Sequence, residues 1–142
     1  MQYLNVKLLH RDAKLPTKAY EGDLGYDLYA VDNAGISPGQ RMLISTGIAI
    51  ALPDGWGAFI KDRSGVSAKN GVYVHAGVID HGYRGEIKVL LQNQYDRIFF
   101  VKSGDKIAQL VPIPVTNFSV YHVAELNEDT ERGSGGFGSS GR

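Results

Sequence analysis

The chain has 142 residues, the length of one domain with a single hydrophobic core. Fifteen lysines and arginines balance fifteen aspartates and glutamates, so no overall positive field favours nucleic acid or an anionic membrane surface as a partner. The absence of cysteine excludes disulfides, cysteine-ligated zinc and thiol nucleophiles.

The first ten residues lack the unbroken apolar segment of a signal peptide, so secretion is not expected and a cytoplasmic location is. Within them, Leu4, Val6 and Leu8 alternate with polar residues, which predicts a half-buried strand. The longest strictly apolar run, residues 48–52, is far shorter than the roughly eighteen residues that a membrane-spanning helix needs. The sequence therefore gives no indication of a membrane partner.

Further strands are predicted where β-branched and aromatic residues form short runs between glycine, proline, asparagine and aspartate. These runs are residues 42–52, 57–61, 72–74, 86–92, 97–102, 106–115 and 118–124. Apolar residues nowhere keep helical spacing over about eleven residues or more, so at most one short helix, at residues 64–69, is expected. The predicted fold is all-β, a distorted β-barrel or jelly roll.

Residues 127–142 differ in composition from the rest of the chain. Three acidic residues lead to Arg132 and then to a glycine- and serine-rich stretch that contains one aromatic residue, Phe137. Such a segment cannot form a packed core. The predicted organisation is a β core over residues 1–126 and a flexible glycine-rich arm over residues 127–142.

Three clusters carry groups that suit an anionic ligand. Arg63, Ser64 and Gly65 offer a guanidinium, a hydroxyl and an accessible backbone N–H to a phosphate, although a turn with a surface arginine has the same pattern. Asp80 lies between glycines that allow close backbone approach, but it also fits a hairpin turn. Gln109 interrupts an apolar strand, where it either binds a ligand or satisfies a hydrogen bond in the core. Together the clusters indicate a small-molecule anion site built from loops.

Five stretches in this order resemble the motifs of the trimeric dUTPase (deoxyuridine 5'-triphosphate nucleotidohydrolase) family. They are GYDLYA at residues 25–30, DRSGVSA at 62–68, GVIDHGYRGE at 77–86, GDKIAQLV at 104–111 and RGSGGFGSSG at 132–141. The third and fifth stretches are the most specific. The resemblance implies a jelly-roll homotrimer with three active sites at subunit boundaries.

The same resemblance implies magnesium-dependent hydrolysis of dUTP to dUMP and pyrophosphate, which keeps uracil out of DNA and supplies dUMP for thymidylate synthesis. Asp80 would hold the water that attacks the α-phosphorus. A further set would bind the triphosphate, namely Arg63, Ser64, Gly65, Gln109 and Arg132. Asp27 would reach Mg²⁺ through a water, with the metal held mainly by the substrate phosphates.

For the nucleoside, the resemblance implies that main-chain groups around Gly77 and Ile79 pair with uracil. Tyr83 would pack beneath the sugar and leave no room for a 2′-hydroxyl. The arm would cross to a neighbouring subunit, where Phe137 covers the base. Ser139 and Ser140 would then approach the phosphates and help to exclude water.

Some residues depart from the family pattern. Asp62 stands where proline is common, and it places a carboxylate beside Arg63 that puts the pose of that arginine in question. Leu24 replaces an alanine, and Lys106 takes a position often held by arginine. Two alternatives remain at this stage: a nucleotide-sensing regulator on the same scaffold, and a dCTP deaminase, against which stands Leu90 near the position of the catalytic glutamate.

Overall fold

The computed structural model describes residues 2–141, and over this part of the chain it has ten β-strands and one α-helix. In chain order they are β1 (Asn5–Leu8), β2 (Tyr26–Tyr29), β3 (Ala34–Ile36), β4 (Arg41–Ala51), β5 (Trp56–Lys61), α1 (Ser64–Asn70), β6 (Val72–His75), β7 (Val78–Ile79), β8 (Glu86–Asn93), β9 (Phe99–Val101) and β10 (Lys106–Pro114).

The strands form two four-stranded sheets and a two-stranded ribbon, with antiparallel pairing throughout. The strand order is β1-β4-β8-β6 in the first sheet and β2-β10-β5-β7 in the second, and β3 pairs with β9 in the ribbon. Neighbouring strands are mostly distant in sequence, as in a jelly roll. The predicted all-β class with one short helix is confirmed.

The core lies between the two sheets because strand residues alternate between an inner and an outer face. In β8, Ile87, Val89 and Leu91 are fully buried, whereas the residues between them are more accessible. Ile44 of β4 and Leu110 of β10 belong to the same apolar cluster, one from each sheet. The outer faces are therefore free to carry polar residues of a binding site.

The single helix agrees with the prediction to within one residue. It ends where Gly71 adopts a φ of 59°, a left-handed conformation that glycine tolerates, and the Gly71 N–H donates to the Ser67 carbonyl. With only seven residues it is too short to cross a membrane, and no helix in residues 2–141 has the length and apolar character to do so.

The strand predicted over residues 118–124 is wrong. The last backbone bond to the sheets there is from the Val115 N–H to the Gly55 carbonyl, and regular structure ends at Pro114. Phe118 is 81% exposed and Val120 is 95% exposed, so the segment has the composition of a strand but no sheet in its own chain to join. Conversely, the sequence analysis did not predict β2, β3 and β7, which have four, three and two residues.

Candidate active site

The predicted site residues of the core, apart from Gly77, line one or other of two separate cavities. The first, here called the arginine cavity, has a volume of about 910 Å³ and is lined by Asp27, Lys61, Arg63, Ser64, Gly65 and Gln109, among others. The second, here called the aspartate cavity, has a volume of about 580 Å³ and is lined by Leu43, Ile79, Asp80, Tyr83, Glu86 and Lys88, among others. No residue belongs to both.

Arg63 occupies the N-cap position of α1 in an extended conformation, two residues after the end of β5. No side chain makes a capping hydrogen bond at the start of this helix. The backbone N–H groups of Ser64 and Gly65, two residues that line the arginine cavity, therefore have no capping side chain as a partner. The three residues predicted to bind phosphate are therefore brought together at the end of β5.

Asp27, which lines this cavity, pairs with two cationic side chains. Its Oδ1 accepts a hydrogen bond from Arg63 Nε at 3.0 Å, and its Oδ2 lies 2.8 Å from Lys106 Nζ. The Asp27 side chain is only 15% exposed, which strengthens both ion pairs. The hydrogen bond to Asp27, together with the attraction of its charge, raises the pKa of the Lys106 ammonium above its ordinary value of 10.5. Lys106 thus stays charged at neutral pH.

Gln109 lies in β10 at the wall of the arginine cavity rather than in the core. Its Nε2 donates to the Asp62 carbonyl at 2.6 Å, and its amide lies so close to Gly25 that a side chain there would overlap it. The Asp62 carboxylate, whose place beside Arg63 in the sequence put the pose of that arginine in question, does not pair with it. Instead, Asp62 Oδ1 accepts the Val74 N–H of β6 at 2.6 Å.

Asp80 lies in the aspartate cavity, at the start of a tight turn. The Tyr83 N–H donates to the Asp80 carbonyl at 3.0 Å, and Arg84 Nη1 donates to the carbonyls of His81 and Tyr83. Among residues 2–141, the Asp80 carboxylate has no hydrogen bond or ion pair and is exposed. The backbone of the turn is fixed, while its carboxylate is available.

Tyr83 is held beside Asp80 by its hydroxyl, which donates to the Glu86 carbonyl at 2.8 Å. Gly85 makes room for this contact, because a side chain at that position would meet the Tyr83 hydroxyl. The ring therefore has a defined place in the aspartate cavity.

Gly77 and Ile79 lie on the hairpin that joins β6 to this turn. The Gly77 carbonyl accepts the Ile60 N–H at 2.6 Å, and Ile79 pairs with Ala58 of β5. A side chain at Gly77 would collide with the Ile60 carbonyl, so only glycine permits this close approach. The hairpin is thereby fixed to β5.

The predicted arm residues lie in neither cavity. Arg132, Ser139 and Ser140 are exposed, and Phe137 is fully exposed with a φ of 49°. Short local turns are present, such as the bond from the Gly135 N–H to the Arg132 carbonyl. The predicted site residues of one chain are thus divided among three places.

Several cavity residues were missed from the sequence. Lys61, Lys69 and Asn70 line the arginine cavity, and Leu43 and Lys88 line the aspartate cavity. Strand alternation was the available signal, because Lys61 pairs in register with Gln109 and faces outwards from β5.

Comparisons with known proteins identify the family of the chain. The model of the dUTPase family matches residues 11–141. A deoxyuridine 5'-triphosphate nucleotidohydrolase of Clostridium tetani is 47% identical over 141 residues, covering 98% of this chain and 97% of the relative. One of Hydrogenobaculum sp. is 49% identical, with 97% of each chain covered.

Solved structures of dUTPases have a similar fold. The dUTPase of Staphylococcus bacteriophage 80alpha, solved with dUPNHPP, has a TM-score of 0.92 and 29% identity, with both chains fully covered. A mutant dUTPase of phage phi11 of S. aureus, described with a structural Mg(II) ion, has a TM-score of 0.82 and 26% identity, covering 88% of this chain and 99% of that one. The chain therefore belongs to the dUTPase family.

Proposed function

We propose that the protein hydrolyses dUTP to dUMP and pyrophosphate in active sites shared between the subunits of a homotrimer. The observation that carries this proposal is the division of the site. Phosphate-binding groups share the arginine cavity, while the unpaired carboxylate of Asp80 lies in a different cavity of the same chain. A second copy that places its aspartate cavity opposite the arginine cavity completes one site and, by symmetry, each of the others.

The arginine cavity binds the triphosphate. The Arg63 Nε–H donates to Asp27 and its Nη1 donates to the Lys106 carbonyl at 3.4 Å, which orients the guanidinium and leaves its remaining N–H groups for phosphate oxygens. Ser64 contributes a hydroxyl, Gly65 contributes a backbone N–H, and Gln109 contributes its amide. These groups stabilise the negative charge that grows on the leaving pyrophosphate in the transition state.

Asp80 of the neighbouring subunit holds the attacking water. The water oxygen forms a bond to the α-phosphorus while the bond from that phosphorus to the bridging α–β oxygen breaks. Pyrophosphate leaves with the bridging oxygen and dUMP remains. A carboxylate is a weak base towards water, so Asp80 orients the water and accepts its proton late in the reaction.

The nucleoside binds along the hairpin of the aspartate cavity. The Gly77 carbonyl already accepts the Ile60 N–H, so uracil pairs with the remaining main-chain groups around Gly77 and Ile79. Tyr83 packs beneath the sugar. Cytosine has its hydrogen-bond donor and acceptor reversed relative to uracil. If cytosine entered a site that pairs with uracil in this way, the buried main-chain groups would lack hydrogen-bond partners.

The arm over residues 127–142 closes the site of a neighbouring subunit. Phe137 covers the base, while Arg132, Ser139 and Ser140 reach the phosphates. The exposure of Phe137 and of the apolar residues from Phe118 to Leu126 supports this role, because such side chains are normally covered in an assembly. Closure excludes water from the reacting phosphate.

Magnesium is expected on the substrate phosphates. Among residues 2–141, no group of three His, Cys, Asp or Glu side chains could hold a metal ion by itself. Each Asp27 oxygen has one cationic partner and a second lone pair, so the carboxylate still fits a contact with metal-bound water. Bound there, magnesium would neutralise phosphate charge and fix the orientation of the triphosphate.

In the cell, this reaction would keep uracil out of DNA and supply dUMP for thymidylate synthesis. A cysteine-free chain is compatible with a reducing cytoplasm, which we propose as its location.

The test is to measure pyrophosphate and ammonia from dUTP and dCTP in the presence of magnesium. Pyrophosphate from dUTP alone is expected. Ammonia from dCTP would identify a deaminase instead, and tight dUTP binding without either product would identify a regulator.

A further inference from the structure

β6 is an edge strand of the first sheet, and side chains of the β5–α1 segment cover its open edge. Ser67 Oγ donates to the Val72 carbonyl at 3.1 Å, and Asp62 Oδ1 accepts the Val74 N–H at 2.6 Å. In an antiparallel sheet, the backbone groups that bond a given neighbouring strand come from every second residue. Val72 and Val74 of β6 are two residues apart, so the two side chains take the place of a neighbouring strand. The two side chains therefore anchor the β5–α1 segment to the first sheet.

Asp62 makes a second contact of a different kind. Its carbonyl accepts the Gln109 Nε2 at 2.6 Å, and Gln109 belongs to β10 of the second sheet. The next residue is Arg63, whose backbone starts α1. Asp62 thus connects the edge of one sheet to the amide of Gln109 through a hydrogen bond and to the backbone of Arg63 through the chain, and both of these residues are assigned to the triphosphate.

The negative charge of Asp62 is unfavourable for triphosphate binding in the arginine cavity. The residue lines the arginine cavity and is half-buried, and no cation pairs with its carboxylate among residues 2–141. A backbone N–H bonds only one carboxylate oxygen and does not neutralise the charge. The negative charge of a residue that lines the cavity repels a triphosphate bound there.

We propose that Asp62 is a positioning residue with two separable effects on the reaction. The hydrogen bond of its carboxylate to the Val74 N–H holds Gln109 and Arg63 in the geometry that the transition state needs. Its negative charge weakens polyphosphate binding in the ground state. This inference rests on the proposed function of the arginine cavity.

Two substitutions separate the effects. Asp62→Asn removes the charge and keeps an oxygen that accepts the Val74 N–H, so KM for dUTP and Kd for inorganic pyrophosphate should fall by roughly threefold to tenfold while kcat changes little. Asp62→Ala removes the charge and the bond together. Its kcat should fall on the order of tenfold to 100-fold, because the phosphate-binding groups lose their fixed position.

Two controls accompany them. Ser67→Ala removes the other bond to the edge of β6 and leaves Asp62 in place, so it should lower the melting temperature without the fall in kcat. Asp96→Asn removes the same charge at an exposed site and should change neither constant.

The outcomes are distinct. Equal kcat for Asp62→Ala and Asp62→Asn would overturn the positioning role, as would a kcat loss of the same size in Ser67→Ala. Unfolding of Asp62→Ala alone would also overturn it, because the bond would then serve stability. Unchanged pyrophosphate affinity in Asp62→Asn would overturn the effect of charge. Absence of dUTP turnover by the unsubstituted protein would refute the proposed function itself.

Discussion

Two inactive variants should restore activity when they are mixed, provided that each damages a different cavity. Arg63→Ala removes a triphosphate ligand from the arginine cavity, and Asp80→Asn removes the carboxylate from the aspartate cavity. Each variant alone should have almost no turnover, because every site of the proposed trimer would lack one essential group. In a mixed trimer, a site regains both groups where the two variants face each other in the right order.

The size of the effect follows from the division of the site. With equal amounts of both variants and random assembly, half of the arginine cavities keep Arg63 and half of the facing aspartate cavities keep Asp80. About one quarter of the sites are then complete, so turnover should reach about one quarter of that of the unsubstituted protein.

The assay is pyrophosphate release from dUTP after the two variants have been unfolded together and refolded, with mass spectrometry to verify mixed trimers. Arg63→Ala mixed with Gln109→Ala is the matched control. Both residues line the arginine cavity, so no subunit supplies an intact one and activity should stay absent. Verified mixed trimers of Arg63→Ala and Asp80→Asn without activity would refute the proposed sharing of sites.

Further predictions concern single residues and the arm. Asp80→Asn should lower turnover by roughly 10²- to 10⁴-fold while calorimetry with a non-hydrolysable dUTP analogue finds nearly unchanged affinity; equal turnover would remove Asp80 from its role. Deletion of residues 133–142 should lower turnover at least about tenfold and leave the melting temperature unchanged, because the arm is exposed; full activity would make the segment a simple tail. Ile87→Ala, at a fully buried position, should lower the free energy of unfolding by about 2–5 kcal/mol in denaturant titrations at fixed protein concentration. The pKa of Lys106 is raised above its ordinary value of 10.5, so its ion pair with Asp27 should persist below pH 10.5 and weaken only at higher pH. Lys106→Met should therefore leave the shape of the alkaline limb of the turnover–pH profile unchanged below pH 10.5.

The strands of the core were predictable because their residues alternate between a buried and an outer face. In β8 this alternation is complete, and the prediction missed only its last residue, Asn93. Short strands such as β7 escaped prediction, since two residues carry no period and pair only because Gly77 approaches Ile60. The segment after Pro114 has the residues of a strand, but pairing also requires a partner, which a single sequence does not specify.

The candidate site residues that line the two cavities were named from the sequence, but their spacing did not show that they divide between two cavities, and only the family resemblance implied sites at subunit boundaries. Arg63 and Asp80 are seventeen positions apart, and nothing in that spacing places them in separate cavities. The orientation of Asp62 was also hidden, because its neighbour in sequence is Arg63 whereas its partner is the Val74 N–H. The pattern of side chains in a sequence does not show which backbone N–H group a carboxylate will accept.

β5 carries Lys61, which lines the arginine cavity, and its neighbour Ile60, whose N–H donates to the Gly77 carbonyl. The segment at Gly77 leads to Asp80. In the proposed trimer, Lys61 and the segment at Gly77 belong to different active sites. A mutation that shifts this strand would disturb both sites at once, so the two cannot be tuned independently through β5. Adaptation of substrate preference therefore has more freedom in the arm, whose sequence can change without moving either wall.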